Sequence, residues 1–175
     1  MKYFPIFLDA KHITAMIIGG GEVASRKIEL LLKSTTQITI MSKEVCVGVE
    51  RLINLHQLTW LQHNYQSGHL SQSSLVIAAT DDTLINEAVA EESRGLNILT
   101  NVVDQPDLCT YITPSIIDRS PMIIALSSSG SAPILIRMLR EQIEKTLPEG
   151  YGKLADFCYK FREDVKAQVK GLRSR

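Results

Sequence analysis

The distribution of apolar and polar residues predicts that strands and helices alternate over the first two thirds of the chain. Strands are predicted at 15–18, 37–41, 75–79 and 98–103, and the run at 75–79 is continuously apolar, as expected of a strand buried on both faces. A weaker strand is predicted at 58–61. Strands that alternate with helices indicate right-handed βαβ units and a mostly parallel sheet.

Between these runs, apolar residues recur every three or four positions, which is the spacing of amphipathic helices. The first helix follows Gly21, the second covers 44–55, and the third starts at its N-cap Asp82 and ends at Gly95. The residues expected to face the sheet are Ala24, Ile28, Leu31 and Leu32, then Val45, Val49, Leu52 and Ile53, and finally Leu84, Ile85, Ala88 and Val89.

The pattern changes after residue 112. Strands are predicted at Thr110–Thr113 and Met122–Leu126, joined by a connection too short to hold a crossover helix. Two amphipathic helices follow, from about Ala132 to Thr146 and from about Leu154 to Lys170. One stripe of the first helix is traced by Leu135, Met138, Leu139, Gln142 and Ile143, and one of the second by Phe157, Phe161, Val165 and Val169.

We therefore predict an α/β fold in three segments. A Rossmann-like NAD-binding domain covers 1–112, a small α+β dimerisation segment covers 113–147, and a C-terminal helical segment covers 148–175. Two strands and one apolar helix make a poor independent core, which favours pairing with a second copy in a homodimer. Packing of this segment on its own Rossmann-like domain remains the alternative.

Composition narrows the class of protein. The formal net charge is zero and 45% of the 175 residues are hydrophobic, so we expect a sizeable core and neither a nucleic-acid nor a membrane partner. Pro5 and Asp9 interrupt the apolar start, which does not read as a signal peptide. The widely spaced cysteines Cys46, Cys109 and Cys158 and the four histidines suggest no structural metal site. Free thiols favour a reducing, cytoplasmic setting.

A glycine-rich turn provides the first candidate site. Gly19, Gly21 and Ala24 match G-x-G-x-x-A between the first strand and the first helix, the context in which this fingerprint binds a dinucleotide. We expect Gly19, Gly21, Glu22 and Val23 to hold the pyrophosphate at the helix N-terminus. An ordinary glycine turn is the alternative.

Residues after two further strands are candidates for the cofactor riboses. Thr80 and Asp81 follow the run at 75–79 and are expected beside the ribose of the nicotinamide half. No acid ends the second strand, where NAD-binding folds often carry one. Ser42 and the backbone of Lys43 and Glu44 are expected to bind the adenosine ribose, but Lys43 equally suits a 2′-phosphate. These residues leave the choice between NAD and NADP open.

Several separate motifs carry a family resemblance. In chain order they are PIFLD, GGGEVASRK, AATDD, NVVDQP, ITPSIIDRSP and IALSSSGSAP. In this order they resemble the precorrin-2 dehydrogenase family, which includes the N-terminal module of sirohaem synthase. The resemblance extends from about Tyr3 to Pro148.

The resemblance implies NAD-dependent oxidation of precorrin-2 to sirohydrochlorin, a step of sirohaem biosynthesis, in a homodimer joined through about 113–147. Some family members also insert Fe²⁺, so a bifunctional dehydrogenase and ferrochelatase is one alternative. A non-catalytic NAD(H)-sensing module is the other.

The resemblance also supplies candidate catalytic and substrate residues. Asp104, in the NVVD-x-P motif at the end of the last parallel strand, is the predicted catalytic residue, as proton acceptor or charge stabiliser. A simple Asp-x-Pro turn is its alternative. Ser128, Asn101, Arg119 and Arg137 are candidates for contacting the substrate, the arginines through its carboxylates. Turn, packing and surface ion-pair roles remain open for these four residues.

Overall fold

The structure is a computed structural model that describes residues 1–169. It contains two compact units, Met1–Ile112 and a second unit from Thr113 onward. The proposed use of 113–147 for dimerisation stays a prediction.

The first unit is built on a five-stranded parallel sheet in the order β3-β2-β1-β4-β5. Its strands are β1 (Ala15–Ile18), β2 (Ile38–Met41), β3 (Thr59–Leu61), β4 (Leu75–Ala78) and β5 (Leu99–Val102). The strand order reverses at β1, which lies between β2 and β4, and ligands bind at such switch points in open α/β sheets. The predicted α/β, Rossmann-like fold is confirmed.

Two layers of apolar side chains cover the faces of this sheet. The helices are α1 (Glu22–Leu31), α2 (Val47–His56) and α3 (Thr83–Gly95). Ile17 packs with residues of α1 and α2, whereas its neighbour Ile18 packs with residues of α3. Successive residues of a strand point to opposite faces, so a continuous apolar run places one side chain in each layer.

Several predicted details of these helices are wrong. In α3, Leu84 is 77% exposed and Ala88 is exposed, whereas Asn86 is buried. The full set of buried α3 residues is Asn86, Val89, Ala90 and Ser93. The helix is turned this way because Asn86 bonds to Thr80 at the end of β4.

Helix boundaries also differ from the prediction. Helix α2 starts at Val47 and not at Glu44, because the backbone N–H of Cys46 bonds to the carbonyl of Gly20 before the helix begins. Helix α3 ends at Gly95 as predicted, but Gly95 is not its C-cap: the cap is Leu96, and the residue with left-handed backbone is Asn97.

The second unit contains an antiparallel pair and two helices. The strands are β6 (Ser115–Arg119) and β7 (Met122–Leu126), and the helices are α4 (Pro133–Thr146) and α5 (Gly150–Gln168). Thr110–Thr113 is not a strand, so that prediction is wrong. The supposed connection is itself β6, and the Asp118 carboxylate accepts bonds from the N–H and hydroxyl of Ser120 to close the turn. The predicted end of the last helix, Lys170, lies outside the described residues.

The apolar stripes of α4 and α5 face outward. Leu135 and Met138 are 53% and 54% exposed, and Phe157 and Phe161 are exposed to a similar extent. Among the described helices, none has both the length and the apolar character needed to cross a membrane.

Candidate active site

The glycine turn after β1 is shaped by two close backbone contacts. Gly19 has φ +119°, and a Cβ there would collide with the carbonyl of Ala79 at the end of β4. A Cβ on Gly20 would collide with the carbonyl of Glu44. Gly21 differs, because a Cβ there meets nothing within 4 Å. Gly19 and Gly20 therefore allow the turn to pack against the neighbouring backbone, and Gly21 leaves an open space on the solvent side of the turn.

This open space lies over the start of α1. Gly21 is the N-cap and no side chain of the described residues caps the helix, so the N–H groups of Glu22 and Val23 are available to an anion. Ala24 is fully buried, which lets the helix lie close to the sheet. These features fit the pyrophosphate of a dinucleotide. The sequence pattern did not identify Gly20, whose role depends on the chain that follows β2.

A cavity of about 200 Å³ opens beside this turn, at the carboxyl ends of β4 and β5. Four of the predicted site residues, Val23, Thr80, Asp81 and Asp104, line it together. Its full lining is Val23, Ala79, Thr80, Asp81, Thr83, Asn86, Val103, Asp104 and Gln105. The predicted residues of the nicotinamide half and the predicted catalytic acid therefore share one pocket.

Hydrogen bonds hold the loop after β4 at the cavity wall. The Thr80 hydroxyl lies 2.8 Å from the side-chain oxygen of Asn86, whose amide group donates to the Thr80 carbonyl at 3.0 Å. The Asp82 carboxylate accepts the N–H groups of Leu84 and Ile85 and so caps α3, as predicted. Asp81, between these anchored residues, keeps an exposed carboxylate at the cavity.

Asp104 occupies the turn that ends β5. Its φ is +59°, a left-handed conformation that aspartate tolerates better than most residues. Within the described chain its carboxylate accepts no hydrogen bond, although the residue lines the cavity. The turn therefore presents an exposed acid with free acceptor oxygens, which suits a group that takes up a proton.

Lys27 is a charged neighbour that sequence reasoning missed. It lies one helical turn beyond Val23 on α1 and is half-buried. Burial lowers the pKa of Lys27, while Cys109 and Asp104 act in the opposite direction and Arg26 adds to the lowering. Lys27 follows Val23 by four residues, so both lie on the same face of α1, and this spacing is the sequence signal that could have identified Lys27.

The end of β2 carries the predicted adenosine-side residues. The Ser42 hydroxyl donates to the carbonyl of Glu44 at 2.6 Å, and the indole N–H of Trp60 donates to the carbonyl of Ser42. Lys43 and Glu44 are exposed. This turn leaves Lys43 available to a 2′-phosphate and Glu44 available to ribose hydroxyls.

The remaining predicted residues have local partners. The buried amide of Asn101 donates to the carbonyl of Tyr111 at 3.2 Å. In the second unit, Arg119 donates to the carbonyls of Leu147 and Asp118, and the Ser128 hydroxyl oxygen accepts the N–H of Ala132. Arg137 is exposed on α4. These contacts give Asn101, Arg119 and Ser128 structural roles, and their predicted contact with substrate stays a prediction.

No group of three or more His, Cys, Asp or Glu side chains within the described residues is arranged to hold a metal ion.

Comparisons with known proteins extend the site description. The model of a family described as "Putative NAD(P)-binding" matches residues 6–115. A siroheme synthase of Pseudoalteromonas atlantica is 46% identical over 175 residues, which are 100% of this chain and 38% of that protein. A siroheme synthase of Ruthia magnifica is 43% identical over the whole chain and 37% of its own length. The chain thus spans less than two fifths of these relatives.

Among solved structures, the protein titled "SirC, precorrin-2 dehydrogenase" is similar with a TM-score of 0.78. The match covers 91% of this chain and 79% of that one at 23% identity. At this identity the likeness concerns the fold.

Proposed function

Because the chain belongs to this NAD(P)-binding family, we propose that it is an NAD-dependent dehydrogenase that oxidises precorrin-2 to sirohydrochlorin in sirohaem biosynthesis. The observation that carries the proposal is the cavity that brings Thr80, Asp81 and Asp104 together beside the glycine turn. The relatives named siroheme synthase and the fold shared with a precorrin-2 dehydrogenase support the choice of substrate.

The chain's residues divide the work of binding. The backbone at Gly19, Gly21, Glu22 and Val23 holds the pyrophosphate, since the helix N-terminus supplies free N–H groups and a positive dipole end. Ser42, Lys43 and Glu44 contact the adenosine ribose. Thr80 and Asp81 border the ribose of the other half. When bound, NAD⁺ supplies the hydride acceptor.

Asp104 supplies the proton chemistry. Oxidation of precorrin-2 removes a hydride and a proton, and gives sirohydrochlorin, NADH and H⁺. Asp104 accepts the proton, because its exposed carboxylate has no competing hydrogen bond among the described residues. With Asp81 it also places negative charge in the cavity, which favours the cationic oxidised nicotinamide over its neutral reduced form.

We also propose a homodimer joined through the second unit. Leu135, Met138 and Leu139 form an exposed apolar stripe on α4. In a dimer with a twofold axis, the stripes of the two copies pack against each other and both become buried. We assign the reaction to the cytoplasm, where the thiols of Cys46, Cys109 and Cys158 stay reduced.

Iron insertion is a second candidate function. Asp81 and Asp104 line the same cavity, and carboxylate oxygens can receive an incoming Fe²⁺ as substrate. Sirohydrochlorin mixed with the protein and Fe²⁺ or Co²⁺ should then change its absorption spectrum faster than without protein. An unchanged rate restricts the protein to dehydrogenation.

The dehydrogenase proposal is tested with precorrin-2 and NAD⁺. Wild-type protein should produce NADH, and Asp104→Asn should lower kcat by about a hundredfold or more while NAD⁺ still binds. Asp107→Asn is the matched control, because Asp107 is exposed in the same loop but does not line the cavity. Absence of NADH with wild-type protein contradicts the function, and full activity of Asp104→Asn contradicts the role of Asp104 alone.

A further inference from the structure

Two histidines lie side by side in the segment that connects β3 and β4. The ring centroids of His63 and His69 are 5.1 Å apart. Both residues are half-buried, and neither lines the cavity at the carboxyl ends of β4 and β5. The proposed dehydrogenase reaction uses neither ring, so the pair is a separate feature of the first unit.

A backbone carbonyl fixes the tautomer of each ring. The Nδ1 atom of His63 lies 2.8 Å from the carbonyl oxygen of Asn64, and that of His69 lies 2.9 Å from the carbonyl oxygen of Gln66. Because a carbonyl oxygen only accepts, both Nδ1 atoms carry the hydrogen, and the Nε2 atom of each neutral ring keeps its lone pair. Histidines that bind metal ions are typically oriented in this way, with the second ring nitrogen donating to a carbonyl.

Both Nε2 atoms are open to a ligand. Among the described residues, neither atom has a hydrogen-bond partner, and neither is one of the buried side-chain atoms that lack a partner. Both Nε2 atoms therefore contact solvent, and a metal ion can reach them.

Hydrogen bonds to α3 hold the segment that carries the pair. The Glu92 carboxylate accepts four hydrogen bonds from it. Their donors are the hydroxyls of Tyr65 and Ser67 and the N–H groups of Gly68 and Leu70. Because these anchors lie between and directly after the two histidines, a ligand that bridges the rings has little conformational freedom left to restrict.

The distance between the rings fits a shared metal ion. At Zn–N distances of ~2.0–2.1 Å and a tetrahedral angle, two imidazole rings on one zinc ion have centroids about 5 Å apart. Imidazole nitrogen suits late first-row divalent cations such as Zn²⁺, whereas Mg²⁺ and Ca²⁺ prefer oxygen. We propose that His63 and His69 bind one such cation through their Nε2 atoms. Two protein ligands are fewer than in most zinc sites, so water completes the coordination.

Calorimetry with ZnSO₄ and without nucleotide tests this site. His63→Asn and His69→Asn each remove Nε2, but the asparagine amide keeps an N–H near the position of Nδ1 and so preserves the bond to the carbonyl. Each change should weaken Zn²⁺ binding about a hundredfold. The double variant should lose little more, because either single change already breaks the chelate.

Two further measurements complete the design. His56→Asn, at an exposed position in the last turn of α2, should bind Zn²⁺ as the wild type does. Zn²⁺ should also raise the Tm of the wild type and leave that of the double variant unchanged, because an ion that binds only the folded state stabilises it.

Absence of Zn²⁺ binding by the wild type overturns the proposal, and needs no variant to fold. Wild-type affinity in the double variant also overturns it, since the ion then binds elsewhere, for example at the exposed thiol of Cys158. Loss of binding in only one single variant overturns the shared site as well. None of these outcomes depends on NAD⁺ or precorrin-2, so the test is independent of the proposed function.

Discussion

The two units differ in how far they bury their large apolar side chains. Among the buried hydrophobic residues of the described chain, only Ile117 belongs to the second unit. In the first unit, the large exposed hydrophobic residues beyond residue 8 are isolated, as at Val47, Leu55, Leu84 and Leu96. In the second unit they follow one another along the exposed stripes of α4 and α5.

The difference reflects what each unit can cover by itself. A parallel sheet flanked by helices on both faces encloses its own core, whereas a two-stranded pair has too little surface to cover two amphipathic helices. Surface hydrophobic residues that occur singly are ordinary, but a continuous apolar stripe calls for a covering surface. The contrast supports the proposed homodimer and implies that mutations in the two units act differently.

We call the first unit, which encloses its own core, the closed unit, and the second unit, whose stripes are exposed, the open unit. The largest effect is expected at Gly19, in the closed unit. Gly19→Ala should lower the free energy of unfolding by about 3 kcal/mol or more, because the new Cβ collides with the Ala79 carbonyl and the residue has a positive φ. Gly21→Ala should cost less than about 1 kcal/mol, since its Cβ meets open space. Urea denaturation measures both values.

The same two variants distinguish an effect on stability from an effect on NAD⁺ binding. Gly21→Ala should weaken NAD⁺ binding about tenfold or more, because its methyl group occupies the space assigned to the pyrophosphate. Unaltered NAD⁺ affinity in a folded Gly21→Ala protein contradicts the assignment of that space.

The second effect concerns association and is expected only in the open unit. Leu135→Glu should raise the Kd of the homodimer about a hundredfold, because twofold symmetry places each lost apolar contact and each new charge in the interface twice. Sedimentation over a range of concentrations measures the Kd. Arg137→Glu, on the opposite side of α4 from Leu135, is the control, and equal effects of both changes contradict the assigned interface.

The closed unit is also the part of the fold that the sequence predicted well. Strands such as β1 and β4 are buried on both faces, so their apolar runs are continuous and easily recognised. The hairpin was harder, because Asp118 and Ser120 resemble loop residues. They are in fact the turn-closing pair at the end of β6, and the predicted strand at Thr110–Thr113 was wrong.

In the candidate site, the sequence pattern predicted the residues that follow strands, but it did not predict residues whose position depends on tertiary packing. Thr80, Asp81 and Asp104 follow apolar runs, so the topology of a parallel sheet brings them to one edge. Asn86 carried no such signal. Its place in the cavity wall comes from the rotation of α3, which does not follow from spacing along the chain.

The third effect concerns a polar anchor of the closed unit. Glu92 on α3 holds the segment between β3 and β4 by accepting hydrogen bonds from Tyr65, Ser67, Gly68 and Leu70. Glu92→Gln should lower the free energy of unfolding by about 2 kcal/mol near neutral pH, because the bonds lose their charged acceptor. Glu91→Gln, on the exposed side of α3, should change it by less than about 0.5 kcal/mol.

The pH dependence of this effect has a definite sign. Burial raises the pKa of Glu92, but the hydrogen bonds from Tyr65, Gly68 and its other partners outweigh burial and leave the pKa below its usual value. A lowered pKa in the folded state stabilises the protein above the pKa of the unfolded chain, about 4.3. The difference between wild type and Glu92→Gln should therefore shrink as the pH falls through this range, and a constant difference contradicts the charged anchor.

The smallest effect compares one matched residue from each unit. Ile17 and Ile117 are both buried, at 0% and 1% exposure, and Ile→Val removes one methylene from each. The free energy of unfolding should fall by about 1.5 kcal/mol for Ile17→Val, because Ile17 lies in a sheet covered by helices on both faces. It should fall by about 0.5 kcal/mol for Ile117→Val, because the few side chains around Ile117 can move into the space left by the methylene. Denaturation should be measured at protein concentrations below and above the Kd of the dimer. A second copy that covers α4 should increase the loss of stability caused by Ile117→Val and leave the loss caused by Ile17→Val unchanged. Equal costs at both positions and at every concentration mean that the second unit packs as tightly as the first by itself, and the exposed stripe then gives no reason for a partner.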